Sequence, residues 1–548
     1  MSSVRQDLAV PLLGTMMVAW AMQASPALAA EHEQHALGKV EFPISCSPPA
    51  QAQFNQAMAL LHHMTYPQAR EAFERTIEIE PACAMAHWGV AMTLFQPLWP
   101  TRPNAAALAR GWEEVRKAKA LQASGRERRF IAAAEAFFTE PDSHEYWVRI
   151  HRWAVASRQA YEVLPGDDEA ALFYALSHLA TAPPTASSRE HADQAAEILL
   201  KVYEKQPDHP GAMHYLVHAN DVPGRERELL EVTRKYDAIA PNNPHALHMP
   251  THIYTRLGDW SRVIKGNLRA ADASLLHPAG ERGELVWDEF AHAIEYLMYA
   301  YLQQGADTHA AEQLSRLQST QRMEPTFKTA FHLASTQARY ALERRAWNEA
   351  MKIQPRTPAW LDWDRYMWAE AIAQFARGLG AARLGNKQEA ARAIQRLAEL
   401  EGVARRAGED LFARSIKVLH LELTAWSTHA HGQSARSVEI MREAAELERA
   451  TPKHAVTPGP TLPALEQLGD LLSEQNKPAE ALSAYQSSLK SFPRRFNSLL
   501  GAAEAARKSG DSTQARAFYA ELLDVAAPDS SRPQVKEARR YVAAGSLP

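Results

Sequence analysis

Two pairs of histidines, each with its members four residues apart, are the residues of this sequence best suited to bind a metal ion. His214 and His218 lie in the stretch HPGAMHYLVHAND, and His248 and His252 lie 34 residues later in NPHALHMPTHIYT. Side chains four residues apart share one face of a helix, so the two imidazoles of a pair point to the same side. Neutral imidazole is a common ligand of zinc and copper. If the two helices are neighbours, the spacing predicts a zinc or copper site between them.

Three further polar residues extend this candidate metal site. Counted back from the glycine of each following turn, His292 occupies the place of His245, and Glu295 occupies the place of His248. We therefore expect these side chains to stack at matching positions on consecutive helices. Neither histidine pair has the glutamate of the zinc-protease motif HExxH. The candidate metal ligands are His214, His218, His245, His248, His252, His292 and Glu295.

A polar groove is the alternative interpretation of the same surface. Such a groove would use hydrogen-bonding side chains to hold a protein, a peptide or a small polar ligand. A structural role is the third interpretation, because spacings of four arise by chance in a chain with 23 histidines. Asp221, Asp288 and Glu295 are also candidates for the carboxylates that orient ligating imidazoles. The ligand-binding candidates are His62, His63, His87, Asp221, Asp288 and Tyr299.

Motifs of common catalytic sites are absent from the sequence. It contains no Gly-x-Ser-x-Gly elbow, no phosphate-binding glycine-rich loop and no cysteine–histidine nucleophile pattern. The enzymatic alternative that remains is a metal-assisted hydrolase in which the histidine cluster activates water. We expect a binding protein rather than an enzyme.

The N-terminal residues have the pattern of an export signal. Arg5 precedes an apolar run from Leu8 to Met22, and Ala27 to Ala29 form a small-residue cleavage site. This predicts a signal peptide over residues 1–29 and an exported, periplasmic chain. The apolar run is shorter than a spanning helix needs, and no later stretch qualifies, so we expect no membrane span after cleavage.

Charge and cysteine content bear on the kind of partner and on the state of the two cysteines. The formal net charge is −4, and the sequence shows no basic stripe. Both observations argue against a nucleic-acid partner. Cys46 precedes the first predicted helix pair and Cys83 begins the second. Because equivalent ends of neighbouring helix pairs lie side by side, a Cys46–Cys83 disulfide is the expected arrangement, and two free thiols are the alternative.

Helical periodicity extends through nearly the whole chain. Segments rich in Ala, Leu, Glu and Arg alternate with short turns, and strand-like alternation is missing. The 34-residue shift that relates the histidine pairs recurs near the C-terminus, where NKPAEALSAY aligns with GDSTQARAFY. A 34-residue period of paired helices is typical of one class of repeat protein.

The chain resembles the tetratricopeptide repeat superfamily. The resemblance is carried by the turn and second-helix starts YPQAREAF, GDWSRVI, GNKQEAARA, NKPAEAL and GDSTQARAF. It implies an all-α fold, a right-handed α-solenoid of antiparallel helix pairs, and a protein or peptide partner. With LLHHMTYPQAREAF and HALHMPTHIYTRLGDW, the chain also resembles a poorly characterised group of exported bacterial proteins of this type with a histidine-rich central region. That group implies no established activity.

Proline-rich connections at 354–364 and 451–463 divide the predicted solenoid. We expect the signal peptide to be followed by N-terminal repeats, histidine-rich central repeats, irregular helical repeats and a C-terminal pair of repeats. The predicted boundaries are 1–29, 30–125, 126–350, 351–450 and 464–548.

Overall fold

In the computed structural model, helices follow one another along almost the whole chain. The structure describes residues 36–99, 101–140, 145–228, 230–280 and 283–544, so the predicted signal peptide lies outside the described residues. Within these ranges there is no strand, and β pairing is limited to the isolated bridges Ala279–Leu285 and Val286–Met323. None of the described helices is long and apolar enough to cross a membrane. The predicted all-α solenoid of helix pairs is confirmed.

Among the described residues from 36 to 205, eight helices form the N-terminal part of the structure. Their bounds are α1 Pro48–His62, α2 Tyr66–Ile79, α3 Ala84–Met92, α4 Ala105–Ala120, α5 Gly125–Phe138, α6 Tyr146–Val163, α7 Asp168–Ala180 and α8 Ser188–Lys205. Local sequence explains where several of them begin. Asn104 accepts a hydrogen bond from the backbone of α4, and Ser124 and Glu127 form a reciprocal capping box at the start of α5.

Eight further helices form the central part. Their bounds are α9 Pro210–Asn220, α10 Leu230–Ile239, α11 Pro244–His248, α12 Pro250–Leu257, α13 Trp260–Ser274, α14 Glu289–Gln303, α15 Asp307–Ser319 and α16 Phe327–Leu342. The break between α11 and α12 falls at Met249 and Pro250, because proline cannot donate the backbone hydrogen bond that a continuous helix needs.

The C-terminal part continues the same pattern. Its helices are α17 Trp347–Met351, α18 Met367–Arg383, α19 Lys387–Arg406, α20 Asp410–Ala430, α21 Ser434–Arg449, α22 Ala464–Glu474, α23 Pro478–Ser491, α24 Phe496–Lys508, α25 Ser512–Val525 and α26 Pro533–Ala544. A short 3₁₀ turn covers Trp363–Arg365. Small residues let paired helices approach closely: a Cβ added at Gly469 or Gly501 would lie 2.6 Å or 2.3 Å from the Tyr485 ring.

Cys46 and Cys83 are bonded in the structure. Their Cα atoms are 5.6 Å apart, within the usual range for a disulfide. Cys46 precedes α1, and Cys83 is the residue that caps the start of α3. The bond therefore ties the beginning of the first helix pair to the beginning of the second.

Two non-helical segments of the chain lie against the inner helices of the central part. The first, which we call the Trp99 segment, comprises the described residues 97–99 and 101–103. The second, which we call the inner loop, comprises residues 451–463. The Trp99 ring lies 5.5 Å and 5.7 Å, centroid to centroid, from the rings of His245 and His292. From the inner loop, Lys453 donates to Asp221 at 2.7 Å, and the Pro460 carbonyl accepts from Arg339 at 2.7 Å. The expectation that the histidines line an open groove is therefore wrong, because the chain itself covers that surface.

Candidate metal centre

Six of the seven predicted metal ligands fall into two groups of three. The first trio is His214, His218 and His245, and the second trio is His248, His252 and His292. Within each trio, one ring nitrogen from every histidine lies within 4.8 Å of the other two. The trios are adjacent, since the rings of His218 and His252 are 6.0 Å apart and those of His245 and His248 are 6.2 Å apart.

The first trio brings together α9 and α11. His214 Nε2 lies 3.1 Å from His218 Nε2 and 3.1 Å from His245 Nε2. The Nδ1 atoms of two members face oxygen acceptors: that of His214 meets the carbonyl of His62 at 2.6 Å, and that of His245 meets Glu289 at 3.2 Å. Because an oxygen acceptor requires a hydrogen on Nδ1, the Nε2 atoms of neutral His214 and His245 carry lone pairs that point at each other.

The second trio brings together α11, α12 and α14. His248 Nε2 and His252 Nε2 are 2.9 Å apart. His248 Nδ1 lies 2.7 Å from Asn267 Oδ1, whose amide nitrogen donates to the Val263 carbonyl, so the amide orientation is fixed and Nδ1 must donate. His252 Nδ1 donates to Asp221 at 2.8 Å. These two Nε2 atoms therefore also face each other as lone pairs when the rings are neutral.

A relay of side chains orients the third member of the second trio. His332 in α16 donates from Nδ1 to Glu295, which leaves His332 Nε2 as an acceptor. His292 Nδ1 donates to that nitrogen at 3.0 Å. The consequence is that His292 Nε2 carries a lone pair, and it is buried with no hydrogen-bond partner among the described residues.

Charged side chains balance the carboxylates that hold the histidines. Asp221 accepts from Arg256 at 2.5 Å and from Lys453 at 2.7 Å. Burial alone would raise the pKa of Asp221, but Lys453 and Arg256 hold it well below its usual value. Glu289 accepts from Lys328, and Glu295 accepts from Arg339 at 2.9 Å. Each of these buried carboxylates thus has a cationic partner before any metal is considered.

Burial also keeps most of the trio histidines neutral. Removal from water lowers the pKa of His214, His218, His248 and His292 well below the usual histidine value, and it lowers that of His252 as well. His218 is the one member with part of its side chain exposed, and the other five are buried. Water access to the two trios is therefore greatest at His218.

The arrangement is unfavourable without a positive charge between the facing nitrogens. Two lone pairs at 2.9–3.1 Å repel each other, and the repulsion is relieved by a shared proton or by a metal ion. Ligands about 2.0–2.1 Å from a tetrahedral metal ion lie roughly 3.3–3.4 Å from one another, close to the spacings within the trios. The fixed Nδ1 donors match the pattern by which proteins orient ligating imidazoles.

A third group of acidic and histidine side chains is complete without a metal ion. Glu169 accepts from His62 Nε2 at 3.0 Å and from His209 Nε2 at 3.2 Å. The remaining nitrogens accept hydrogen bonds, from Tyr215 to His62 and from the backbone of Gly211 to His209. All four ring nitrogens have partners, so this group is a hydrogen-bonded connection between α1, α7 and α9.

Other predicted site residues lie away from the trios. His63 donates to the Leu37 carbonyl at 3.0 Å and accepts from Tyr236, and His87 lies 2.6 Å from Glu114. Asp288 accepts from Thr326 and Lys328. Tyr299 accepts from Arg495 at 2.9 Å in a separate buried network. Of the ligand-binding candidates, two form a hydrogen bond with a trio imidazole: the Asp221 carboxylate accepts from His252, and the His62 backbone carbonyl accepts from His214.

Glu295 does not lie among the trio nitrogens, in contrast to its prediction as a metal ligand. Its two oxygens are occupied by His332, Ser335 and Arg339. It therefore acts through His332 on His292.

His332 was not among the residues predicted from the sequence, although its distance from the following turn marks its position. His245 and His292 each lie 13 residues before a turn glycine, Gly258 or Gly305, and His332 lies 13 residues before Arg345. Arg345 takes the same left-handed backbone conformation, with φ of 57°, as the two glycines at 67° and 63°. An alignment that relied on glycine alone could not extend the register to this repeat.

Comparison with known proteins identifies the repeats. Residues 467–531, which span α22 to α25, match the tetratricopeptide repeat family. Residues 467–531 therefore contain tetratricopeptide repeats. No curated protein matches this sequence.

Three solved structures that resemble this chain have low sequence identity to it. Yeast Tom70 is 11% identical, with a TM-score of 0.30, over 91% of this chain and 96% of that chain. The Cut9–Hcn1 hetero-tetramer of the APC/C is 13% identical, with a TM-score of 0.28, over 91% and 97%. A monomeric mutant of IFIT1 with m7Gppp-AAAA is 11% identical, with a TM-score of 0.36, over 81% and 90%. At these TM-scores nothing about function follows from the matches.

Proposed function

We propose that this tetratricopeptide repeat protein binds metal ions in its buried histidine trios, one ion in each. The observation that carries the proposal is His292 Nε2, a buried lone pair that has no partner among the residues the structure describes. It lies in the same trio as the facing Nε2 atoms of His248 and His252. In the second trio each imidazole is oriented by a hydrogen bond at its Nδ1 atom. Three neutral imidazoles are a common ligand set for zinc and copper.

The charge balance favours copper(I) over zinc(II). Neither trio includes a carboxylate or a thiolate, and the supporting carboxylates Asp221, Glu289 and Glu295 already have cationic partners. An ion in these sites would therefore bring uncompensated charge into a buried region, at a free-energy cost that rises with the charge. A monovalent ion adds half the charge of a divalent one.

Metal content of the untagged protein tests this proposal. After incubation with copper(I) under anaerobic conditions, or with zinc, and removal of excess ion, mass spectrometry should find two ions per chain. His292→Leu should retain one ion, because it removes a ligand of the second trio only. His209→Gln is the matched control, since His209 is equally buried but belongs to the complete third group, and it should retain two ions. Wild-type protein that holds neither metal would refute the proposal and leave a shared proton as the explanation of the facing nitrogens.

Export to the periplasm is part of the same proposal. It is supported by the signal-like N-terminus and by the Cys46–Cys83 bond, since disulfides persist in oxidising compartments. N-terminal sequencing of protein from the native host should find a mature chain that starts at Ala30, and an intact Met1 would contradict this.

Binding of a protein or peptide partner is a second proposal, carried by the repeat architecture alone. The inner loop and the Trp99 segment cover the inner surface beside the trios, so we place a partner elsewhere on the solenoid. A metal-assisted hydrolase would need an open path for substrate, and His218 is the trio member at which such a path would have to begin.

A further inference from the structure

A separate pocket with unusual polarity lies between α16, α18, α20, α21 and the inner loop. Its volume is about 110 Å³. Phe331 and Trp368 form part of its wall, with their rings 4.8 Å apart and nearly perpendicular. Glu422, Glu448 and His454 also line it. No residue of either histidine trio contributes to the wall.

Two carboxyl groups in this pocket are poorly compensated. Glu422 is fully buried, and neither of its carboxyl oxygens has a hydrogen-bond partner among the described residues. Burial and the neighbouring Glu448 raise the pKa of Glu422 well above its usual value. Glu448 accepts from the backbone of Ala464 at 3.2 Å, and burial raises its pKa to about 8.

The positive groups near the pocket are directed elsewhere. Lys453 lines the pocket, but its ammonium group donates to Asp221 at 2.7 Å and to the Thr457 carbonyl at 3.1 Å. His454 is kept neutral, because burial and the positive charges of Arg102 and Lys453 lower its pKa to about 3. The pocket therefore offers hydrogen-bond acceptors and aromatic faces, and it lacks an ion-pair partner for Glu422.

A small organic cation has the complementary chemistry. An ammonium group has several N–H donors, gains from charge-assisted hydrogen bonds to carboxylates, and is attracted to aromatic rings. The volume is slightly below that of an engineered cavity of roughly 150 Å³ that takes up benzene, so it suits a short carbon chain or a single ring.

We propose that this pocket binds a small primary ammonium ion, with the nitrogen between Glu422 and Glu448 and the carbon chain against Phe331 and Trp368. The proposal does not depend on metal binding. The ammonium ion replaces one proton of the carboxyl pair, so its uptake releases a proton into solution. Its affinity should therefore increase between pH 6 and pH 8.

Calorimetric titration of the full chain with propylammonium tests the pocket, with 1-propanol as the neutral probe of similar shape. We expect binding of propylammonium, tighter at pH 8 than at pH 6, and weaker or no binding of 1-propanol. Glu422→Gln should reduce the affinity for propylammonium about tenfold or more, because it removes a charged acceptor while keeping the side-chain volume.

Glu504→Gln is the matched control. Glu504 lies in α24, burial raises its pKa too, and it does not line the pocket. This variant should bind propylammonium as the wild type does. An unchanged helical circular dichroism signal shows that each variant is folded. No binding of propylammonium at millimolar concentration, equal binding of 1-propanol, or an undiminished affinity in Glu422→Gln would each overturn the proposal.

Discussion

At the scale of single residues, the position of one hydrogen decides what each histidine can bind. Where Nδ1 faces an oxygen acceptor, the hydrogen stays on Nδ1 and Nε2 is free to bind a cation. Where Nδ1 instead accepts from a backbone N–H, as in His209, Nε2 must donate and cannot ligate. The two trios and the third group contain the same residue type at similar burial, and this difference separates them.

The carboxylates behind the trios should control the two proposed sites separately. Glu289 orients His245 of the first trio, and Glu295 acts through His332 on His292 of the second. We expect Glu289→Gln to weaken metal binding by the first trio and Glu295→Gln to weaken binding by the second, each by roughly 10–100-fold. Chelator competition measures both, with the opposite trio disabled by His214→Ala or His292→Leu. Equal loss at both sites in either variant would contradict this division.

How much of the site could be predicted from the sequence depends on the range of the contact. The spacing of His214, His218, His248 and His252 is a local property of helices, and together with the register of the turn glycines it predicted that six histidines lie near one another. It predicted one site between the two pairs, whereas the structure places each pair in a different trio. The supporting contacts are not local: Asn267 contacts His248 from another helix, and Lys453 contacts Asp221, the support of His252, from a distant loop. Nothing in their own neighbourhood in the sequence marks them.

At the scale of elements, the turns between paired helices impose a backbone requirement that varies with the surroundings. Gly258 and Gly385 both take positive φ, 67° and 77°, which disfavours any residue with a Cβ. A Cβ at Gly258 would also lie 2.8 Å from Arg494 Cβ and from the Pro493 carbonyl, whereas one at Gly385 would meet nothing within 4 Å.

Alanine at these two turns should therefore differ in effect. We expect Gly385→Ala to lower the free energy of unfolding by about 1–2 kcal/mol, from backbone conformation alone. Gly258→Ala should lower it by more, since the contact with the segment before α24 adds to the same backbone cost. Urea denaturation compares the two, and equal losses would show that the close contact relaxes freely.

Glu448 at the end of α21 should make stability depend on pH. Its pKa is about 8 in the folded chain, above the usual glutamate value of 4.5. Between these values the folded state holds a proton that the unfolded state has lost, so the free energy of unfolding falls as pH rises from 4.5 to 8.

Glu448→Gln removes this titration. We expect the variant to gain stability over the wild type at pH 8 and to gain much less at pH 5, as measured by urea midpoints. Glu446→Gln, at an exposed neighbouring position, should show no such difference between the two pH values. A gain independent of pH would contradict the assignment.

The sequence also allowed most elements to be predicted, for a physical reason. Helix formation and the 34-residue period depend on short-range spacing, and the break at Pro250 follows from the chemistry of one residue. The paths of the Trp99 segment and the inner loop depend on which distant surface each one covers. The proline content of 451–463 predicted a connection, but it could not predict that the connection would cover the inner face.

At the scale of the whole molecule, the disulfide fixes the first helix pair to the second. The bond closes a loop with a sequence separation of 37 residues. Thiol counting on the unreduced, denatured protein should find no free thiol. Replacement of both cysteines by serine should lower the free energy of unfolding by roughly 3–4 kcal/mol. Metal content should stay unchanged, because the trios lie in later repeats, and two free thiols in the native protein would refute the bond.

The cover over the histidine trios has a consequence for the rate at which an ion could leave. Trp99 precedes the trio histidines in the chain and packs against His292, and Lys453 follows them and binds Asp221, which supports His252. Departure of an ion from the second trio would require one of these segments to lift away first. The escape of a bound ion would then be limited by local opening of the protein. The rate at which a chelator removes the ion would therefore not increase with chelator concentration.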